Sequence, residues 1–434
     1  MEQLLDTLFS VVIAVGVTVG AFVLLNALVD QAPRRFWLFA TVSGALVGAL
    51  VGAAANSGGW FIGGSLWPWG GALVGAALGG LVWARRPPPI ERRRRIPDRL
   101  RPAIFLAPAL LFLGVTLVIP TIRTIYLSFR SRRGEEFVGL DNYDGVFGDG
   151  NIFTTEGLGG ILTSRLFLIG AVVAVLAVGV TAWRGLSTRR GVDLSAPVPF
   201  SGLAVAGVLV ALAGVGSLTG VIWNNVFWVL FVTVGATGLG LAIAVLADRS
   251  KGESLAKSLI FMPMAISFVG ASVIWRFVYA FTPAGRDQIG LLNAAWVGLG
   301  GEPQAWIQQR PWNTMFLIVI MIWIQTGFAM VVLSAAIKAV PTELQTFWRI
   351  TVPHIRTTIG VVVVTLIIVV LKIYDIVKVM TNGEFGTNVV ANEMFDAAFR
   401  NRDLGRGSAL AALIFLAVVP LMIINVRRIR REAR

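Results

Sequence analysis

Apolar runs of about 18 to 25 residues recur along this chain, and each is about long enough to cross a hydrocarbon core near 30 Å thick. With 56% of its 434 residues apolar and only 14% charged, the sequence predicts an all-α polytopic membrane protein rather than a set of water-soluble domains. About eleven spans are expected. They run approximately Leu8–Val29, Phe36–Ala55, Phe61–Trp83, Ala103–Arg123, Ile161–Trp183, Gly202–Ser217, Trp223–Ala247, Ala256–Phe281, Thr314–Ile337, Thr358–Val377 and Ser408–Val426.

The formal charge of +14 sits in short clusters between those runs, with no aromatic-interleaved groove, which argues against nucleic acid and for membrane orientation. Arg34 and Arg35, Arg85–Arg101, Arg184–Arg190, Arg249–Lys257, Lys338–Arg356 and Arg427–Arg434 all fall on one side. The positive-inside bias puts these loops and the carboxy terminus in the cytoplasm, and an odd number of spans puts the amino terminus outside. The span near Gly202 is short and Gly-rich; if it is re-entrant, its neighbour changes with it. Met1-Glu2-Gln3 carries neither a basic stretch nor a small-residue cleavage site, so the first span is expected to stay as an anchor. The chain has no cysteine and a single histidine, His354, which leaves no disulfide and no cluster for zinc.

Three sections follow from composition. Residues 1–83 form a Gly-rich extension of three helices, in which Gly44, Gly48 and Gly52, and again Gly71, Gly75 and Gly79, recur every fourth residue and predict close helix packing. Residues 84–101 are a linker in which Pro87 to Pro89 precede Arg92 to Arg95, suited to anionic lipid headgroups or to anchoring topology. Residues 102–434 are the core, with a two-helix insertion at about 150–220. Trp60, Trp67, Trp69, Trp223, Trp228 and Trp312 are expected in interfacial belts.

Polar residues inside apolar helices mark where function can reside. Gln325 and Thr326 sit near the middle of the ninth span beside Trp323, Gly327 and Phe328. They could meet a solute or bond to a neighbouring helix. Lys372, Tyr374 and Asp375 interrupt the tenth span; Lys372 and Asp375, three apart, read as an ion pair on one face or as pathway residues, and Tyr374 as an aromatic contact. In the eighth span Pro263 predicts a kink, with Met264 and Ser267 at the bend. Trp275 and Arg276 near its outer end suit a belt and a snorkelling cation, or an external partner.

One loop carries a family signature. Lys338-Ala-Val-Pro341-Thr-Glu343-Leu344 is followed at once by Gln345-Thr-Phe347-Trp-Arg349-Ile350-Thr-Val-Pro353. These flanks resemble the loop by which membrane subunits of carbohydrate ABC importers grip their ATP-hydrolysing partners. The family's Glu-Ala-Ala and glycine are missing from its centre, which is about ten to twelve residues short. Further features match in order: Asn224 and Asn225, Leu246-Ala-Asp248-Arg249, Phe261-Met-Pro263, Gly290-Leu-Leu-Asn293, Gly301-Glu-Pro303, Ala305-Trp306, Tyr374-Asp375, Thr381-Asn382-Gly383 and the final helix from Gly407. The resemblance covers Pro102–Tyr126 and Asn224–Arg434, roughly half the chain, and is nearest to permeases for maltose-like sugars and α-glucosides.

The resemblance implies half of a sugar pathway working by alternating access in a prokaryotic inner membrane. A second permease subunit, nucleotide-binding ATPase subunits and an extracytoplasmic solute-binding protein would complete the machine. It implies substrate contact at Gln325 and Phe328, and a coupling loop carrying Pro341, Glu343, Leu344, Phe347, Arg349, Ile350 and Pro353. ATP and Mg would sit on the partner subunits, with no cofactor in this chain; no phosphate-binding Gly-x4-Gly-Lys-[Ser/Thr] motif is present, and Lys251-Gly-Glu-Ser254 does not supply one.

Three other readings compete. An ion-coupled secondary transporter wants coupling carboxylates in the membrane, and only Asp375 qualifies. An intramembrane serine protease needs a histidine within the bilayer, whereas His354 falls in a cytoplasmic loop. A permease-like subunit uncoupled by its short loop is the third.

Overall fold

The computed structural model describes residues 112–187, 197–248, 252–340 and 351–432, with shorter pieces before them. The chain divides into two units, Met1–Ile122 and Arg123–Arg434. In the first, residues 40–45 and 71–78 are helical; most of the rest of the expected Gly-rich extension, and the linker 84–101, lie outside the described residues. Among its described residues the second unit is helical apart from turns, loops and one isolated antiparallel bridge, Arg130 to Phe137.

The helices from there on are α1 Ile119–Leu127, which follows a π turn and contains the boundary between the units, α2 Asp141–Phe147, α3 Leu158–Thr163, α4 Arg165–Ser187, α5 Pro197–Ser217 and α6 Val221–Asp248. Then come α7 Glu253–Phe261, α8 Phe268–Val278, α9 Leu291–Gly298, α10 Trp312–Lys338, α11 Val352–Leu371, α12 Asp375–Met380, α13 Val390–Phe395 and α14 Leu404–Glu432. Among the described residues, α4, α6, α10, α11 and α14 are long and apolar enough to cross a membrane, and the pair α7–α8 would make a sixth crossing. These match the fifth, seventh, ninth, tenth, eleventh and eighth expected spans. The fourth and sixth appear as shorter apolar helices, Gly114–Leu127 and Ser201–Ser217, and the first three lie largely outside the described residues. The protein is an all-α, multi-pass membrane protein.

Helix α10 is the axis. Its apolar window is 61% buried, against 11% for α4 and α14, so those two present most of their surface outward. Without a hydrophobic force between helices in lipid, close packing has to come from small residues. The broadest interface, α6 on α10, is built that way: a Cβ on Gly240 would stand 2.6 Å from Ala329 Cβ and 2.8 Å from the Met330 backbone nitrogen. Gly327 gives α7 the same approach, 2.7 Å from the Ile260 carbonyl oxygen. Trp228, expected in an interfacial belt, is instead fully buried among Val232, Leu317 and Met321, because α6 turns that face to α10.

Two helices break inside the bundle. Pro263 has no N–H to give, and Met262–Ala265 tightens into a 3-10 turn; Ile266 is extended, and the Ser267 hydroxyl then accepts from the Gly270 N–H at 3.0 Å to cap α8. The expected kink is therefore a full break, bent by 101°.

The second break follows Leu371, and Asn225 near the start of α6 completes it. Its Nδ2 donates to the Leu371 carbonyl at 3.3 Å, and its Oδ1 accepts from the Val390 N–H at 2.8 Å. Neighbouring Asn224 donates to the carbonyls of Gly386 and Asn388, both at 2.8 Å. Side-chain amides thus replace backbone partners that a broken helix loses, as apolar surroundings require.

Candidate functional site

Because α11 stops at Leu371 and α12 starts at Asp375, Tyr374 sits in the joint, with φ −138°. The joint opens a cavity of about 360 Å³ walled by Lys372, Tyr374, Met394 and Phe395, with Ala411 and Ile414 of α14 opposite. The Tyr374 ring meets Phe395 at 5.4 Å, and Phe395 meets Phe399 at 4.9 Å. Lys378, one turn along α12, lies 5.2 Å from the centre of the Phe395 ring and 6.0 Å from that of Tyr374, and pairs with Asp396 at 3.1 Å. The cavity therefore offers aromatic walls, a phenol hydroxyl and an amine.

The expected Lys372–Asp375 ion pair is corrected by this joint. Lys372 caps the end of α11 and Asp375 begins α12, so they do not share one helical face, and no ion pair joins them among the described residues. Asp375 instead occupies the first turn of α12, where the helix dipole favours a carboxylate. Lys378, which does have an anionic partner, was not singled out in the sequence; its signal is the one-turn spacing from Tyr374.

On α10, Gln325 is 7% exposed, and its amide has no hydrogen-bond partner among the described residues. Thr326 is satisfied locally, donating to the Ile322 carbonyl at 2.7 Å. Phe328 packs against the cluster that holds Ala329 and Leu333. Met264 is 41% exposed on the 3-10 turn. Of the expected pathway residues only Lys372 and Tyr374 share the cavity at the α11–α12 joint; Gln325, Thr326, Phe328, Asp375 and Met264 do not line it.

Of the expected coupling loop, Pro341, Glu343, Leu344, Phe347, Arg349 and Ile350 lie outside the described residues. Pro353 opens α11, exposed together with His354 and Arg356, while Ile355 turns inward. Lys338 ends α10 and reaches Glu253, which also holds Lys257; Lys257 bonds the Ser334 hydroxyl in turn. The two helices that lead toward this segment, α7 and α10, are so fastened together.

At the other end of α10, the loop 279–311 is folded onto fully buried Asn293. Its Nδ2 donates to the Ala280 and Gln304 carbonyls at 3.0 and 2.9 Å, and its Oδ1 accepts from the Gln304 N–H and the Trp306 indole at 2.9 and 3.0 Å. An aromatic series continues inward from Trp306 through Phe316, Tyr279 and Trp275 to Trp323, with successive ring centres 5.1 to 5.7 Å apart. Nearby, Arg406 pairs with Asp149 at 2.6 Å, and that hydrogen bond holds the Asp149 carboxyl below the usual carboxylate range.

No protein-family model matches the chain. It is similar to the alpha-glucoside transport system permease protein AglF of Rhizobium meliloti (strain 1021), 42% identical over 356 residues that cover 79% of this chain and 86% of that protein. It is 40% identical over 343 residues to the osmoprotective compounds uptake permease protein GgtC of Synechocystis sp. (strain ATCC 27184 / PCC 6803 / Kazusa), covering 76% and 99%. It is 27% identical over 301 residues to the trehalose/maltose transport system permease protein MalF of Thermococcus litoralis (strain ATCC 51850 / DSM 5473 / JCM 8560 / NS-C), covering 63% and 95%. Among solved structures, a bacterial ABC transporter involved in the import of the acidic polysaccharide alginate is similar with a TM-score of 0.48 at 15% identity, covering 82% of this chain and 100% of that one.

Proposed function

The chain belongs to the carbohydrate ABC transporter permeases, and on that premise we propose that it forms one half of a path carrying a neutral α-glucoside or a related compatible solute into a prokaryotic cell. As a permease subunit it leaves ATP hydrolysis to a separate subunit and carries no cofactor of its own. A second permease subunit, an ATPase pair and an external solute-binding protein complete the proposed importer. Its own six-helix core, ending in a cytoplasmic carboxy terminus, carries the two-helix insertion at about 150–220 and is preceded by the three extra helices of residues 1–83, for about eleven crossings in all.

The single observation that carries the cargo reading is the α11–α12 joint, where Tyr374 and Phe395 wall a cavity beside Lys372. Aromatic faces suit the apolar side of a pyranose ring, and the phenol and amine suit its hydroxyls. Gln325 on α10, whose amide has no partner among the described residues, is the proposed second contact. The segment 341–353 is proposed as the contact with the ATPase, with Pro353 fixing the start of α11.

Uptake of labelled maltose by proteoliposomes holding the full importer and its binding protein tests the reading. ATP-dependent uptake is expected, with Tyr374→Ala raising KM about tenfold and Tyr374→Phe much less. Uptake driven by a proton gradient in vesicles without the ATPase would overturn it.

A further inference from the structure

A second cavity, of about 250 Å³, lies beyond the start of α6 and is polar where the first is apolar. Four separate stretches of chain converge on it: Asn151 after α2, Thr219 to Asn224 at the start of α6, Arg310 before α10, and the segment carrying Asn388 and Glu393. Nothing in the family comparison or the transport path at Tyr374 uses it.

Its chemistry is unbalanced in a specific way. Asn224 is 2% exposed, and both hydrogens of its amide are spent on the Gly386 and Asn388 carbonyls. Its Oδ1 is buried with no hydrogen-bond partner. A buried acceptor left in that state costs about 1–3 kcal/mol unless something donates to it. Arg310 supplies the opposite excess. Its guanidinium lies over Gly386, makes one long bond to the Leu218 carbonyl at 3.4 Å, and has no carboxylate partner among the described residues. Burial lowers its pKa from the ordinary arginine value, so the charge is partly stripped of water.

Charge then restricts what could fill the space. A cation would face Arg310; an anion would face Glu393, which accepts from Asn388 at 2.9 Å and stands 3.7 Å from Arg406. A hydroxyl group both donates and accepts, and so can meet the free Arg310 donors and the Glu393 carboxylate together. We infer that this cavity is a binding site for a neutral, hydroxyl-rich solute, with its hydroxyls accepting from the Arg310 guanidinium and donating to the Glu393 carboxylate. The site needs only the residues named; its role as a station for cargo entering the path rests on the importer reading above.

The test uses the full importer in lipid nanodiscs without its solute-binding protein, and equilibrium binding of labelled maltose with acetate as the charged comparison. Thr219→Leu fills the cavity from an exposed position whose hydroxyl makes no bond to another described residue; Arg310→Gln removes the cation. Millimolar maltose binding is expected in the unaltered complex, weakened roughly tenfold or more by either substitution. Size-exclusion and thermal-unfolding profiles show that each variant is assembled, and Thr219→Leu carries the test if Arg310→Gln is not. Unchanged binding in the assembled variants, no binding in the unaltered complex (a cavity for water only), or acetate bound in preference to maltose overturns the proposal. Uptake failing while the binding pattern holds would sink the importer reading and leave the site standing; uptake proceeding with unaltered binding in both variants would do the reverse.

Discussion

Glu253, in the first turn of α7, is ion-paired with Lys338, the last residue of α10, so the broken helix pair and the bundle axis are tied at the end adjoining residues 341–350. Lys257 shares the same carboxylate oxygen. If this tie transmits movement from the ATPase, Glu253→Lys should lower binding-protein-stimulated ATP turnover severalfold, and Glu253→Lys with Lys338→Glu should recover it. The tie is solvent-reached, so the loss should shrink as ionic strength rises. Turnover measured across a salt series on the two variants decides the matter, and failure of the swap to recover activity counts against a direct pairing.

Gly240 sets how near α6 can come to α10. An alanine there would meet backbone atoms of Ala329 and Met330, which cannot swing aside, and the overpacking should cost about 1–3 kcal/mol. Gly238, one turn-face away on α6, has nothing within 4 Å of an added Cβ. Gly238→Ala should therefore leave thermal unfolding in detergent unchanged or raised while Gly240→Ala lowers it.

Asn293→Ala would leave the Trp306 indole and the Gln304 N–H without their acceptor in a buried place, at about 1–3 kcal/mol for each group. The loop 279–311 should then be cut by added protease far faster than in the unaltered chain. Asn293→Asp, which keeps the acceptor and loses the two donated bonds, should fall between.

Asp149 has a pKa depressed by Arg406, so its contribution is fully present above its ordinary value of 3.8 and disappears as pH falls through the lower folded value. Asp149→Asn should lower stability by under about 1 kcal/mol at neutral pH, since the pair is partly exposed. The difference should narrow as pH falls below 3.8. Thermal scans on either side of that pH check the sign.

Much of the helical scaffold is readable from residues alone, because an apolar run the length of α6, α10 or α14 has no alternative in lipid. Pro263 announces its break by lacking an N–H, although how far the chain turns depends on Ser267 capping the next helix. The break after Leu371 leaves no such mark: Leu371-Lys-Ile-Tyr-Asp carries neither glycine nor proline, and what holds it open is Asn225, distant in sequence. That is why Lys372 and Asp375 look like a pair on one face when read in one dimension. Trp228 misleads for the same reason, since its place near a helix end says nothing about α10 lying over it. The polar cavity at Asn224 and Arg310 is invisible in the sequence because no local stretch contains more than a few of its walls.

Asn224 and Asn225 do more than close a broken helix. By gripping the carbonyls of residues 371, 386 and 388 and the N–H of Val390, they rivet the start of α6 to everything between the end of α11 and the start of α13. Whatever motion carries cargo inward, these bonds favour the pieces moving together. The seams along which the protein flexes are then expected elsewhere, with the wall holding Tyr374 following the head of α6.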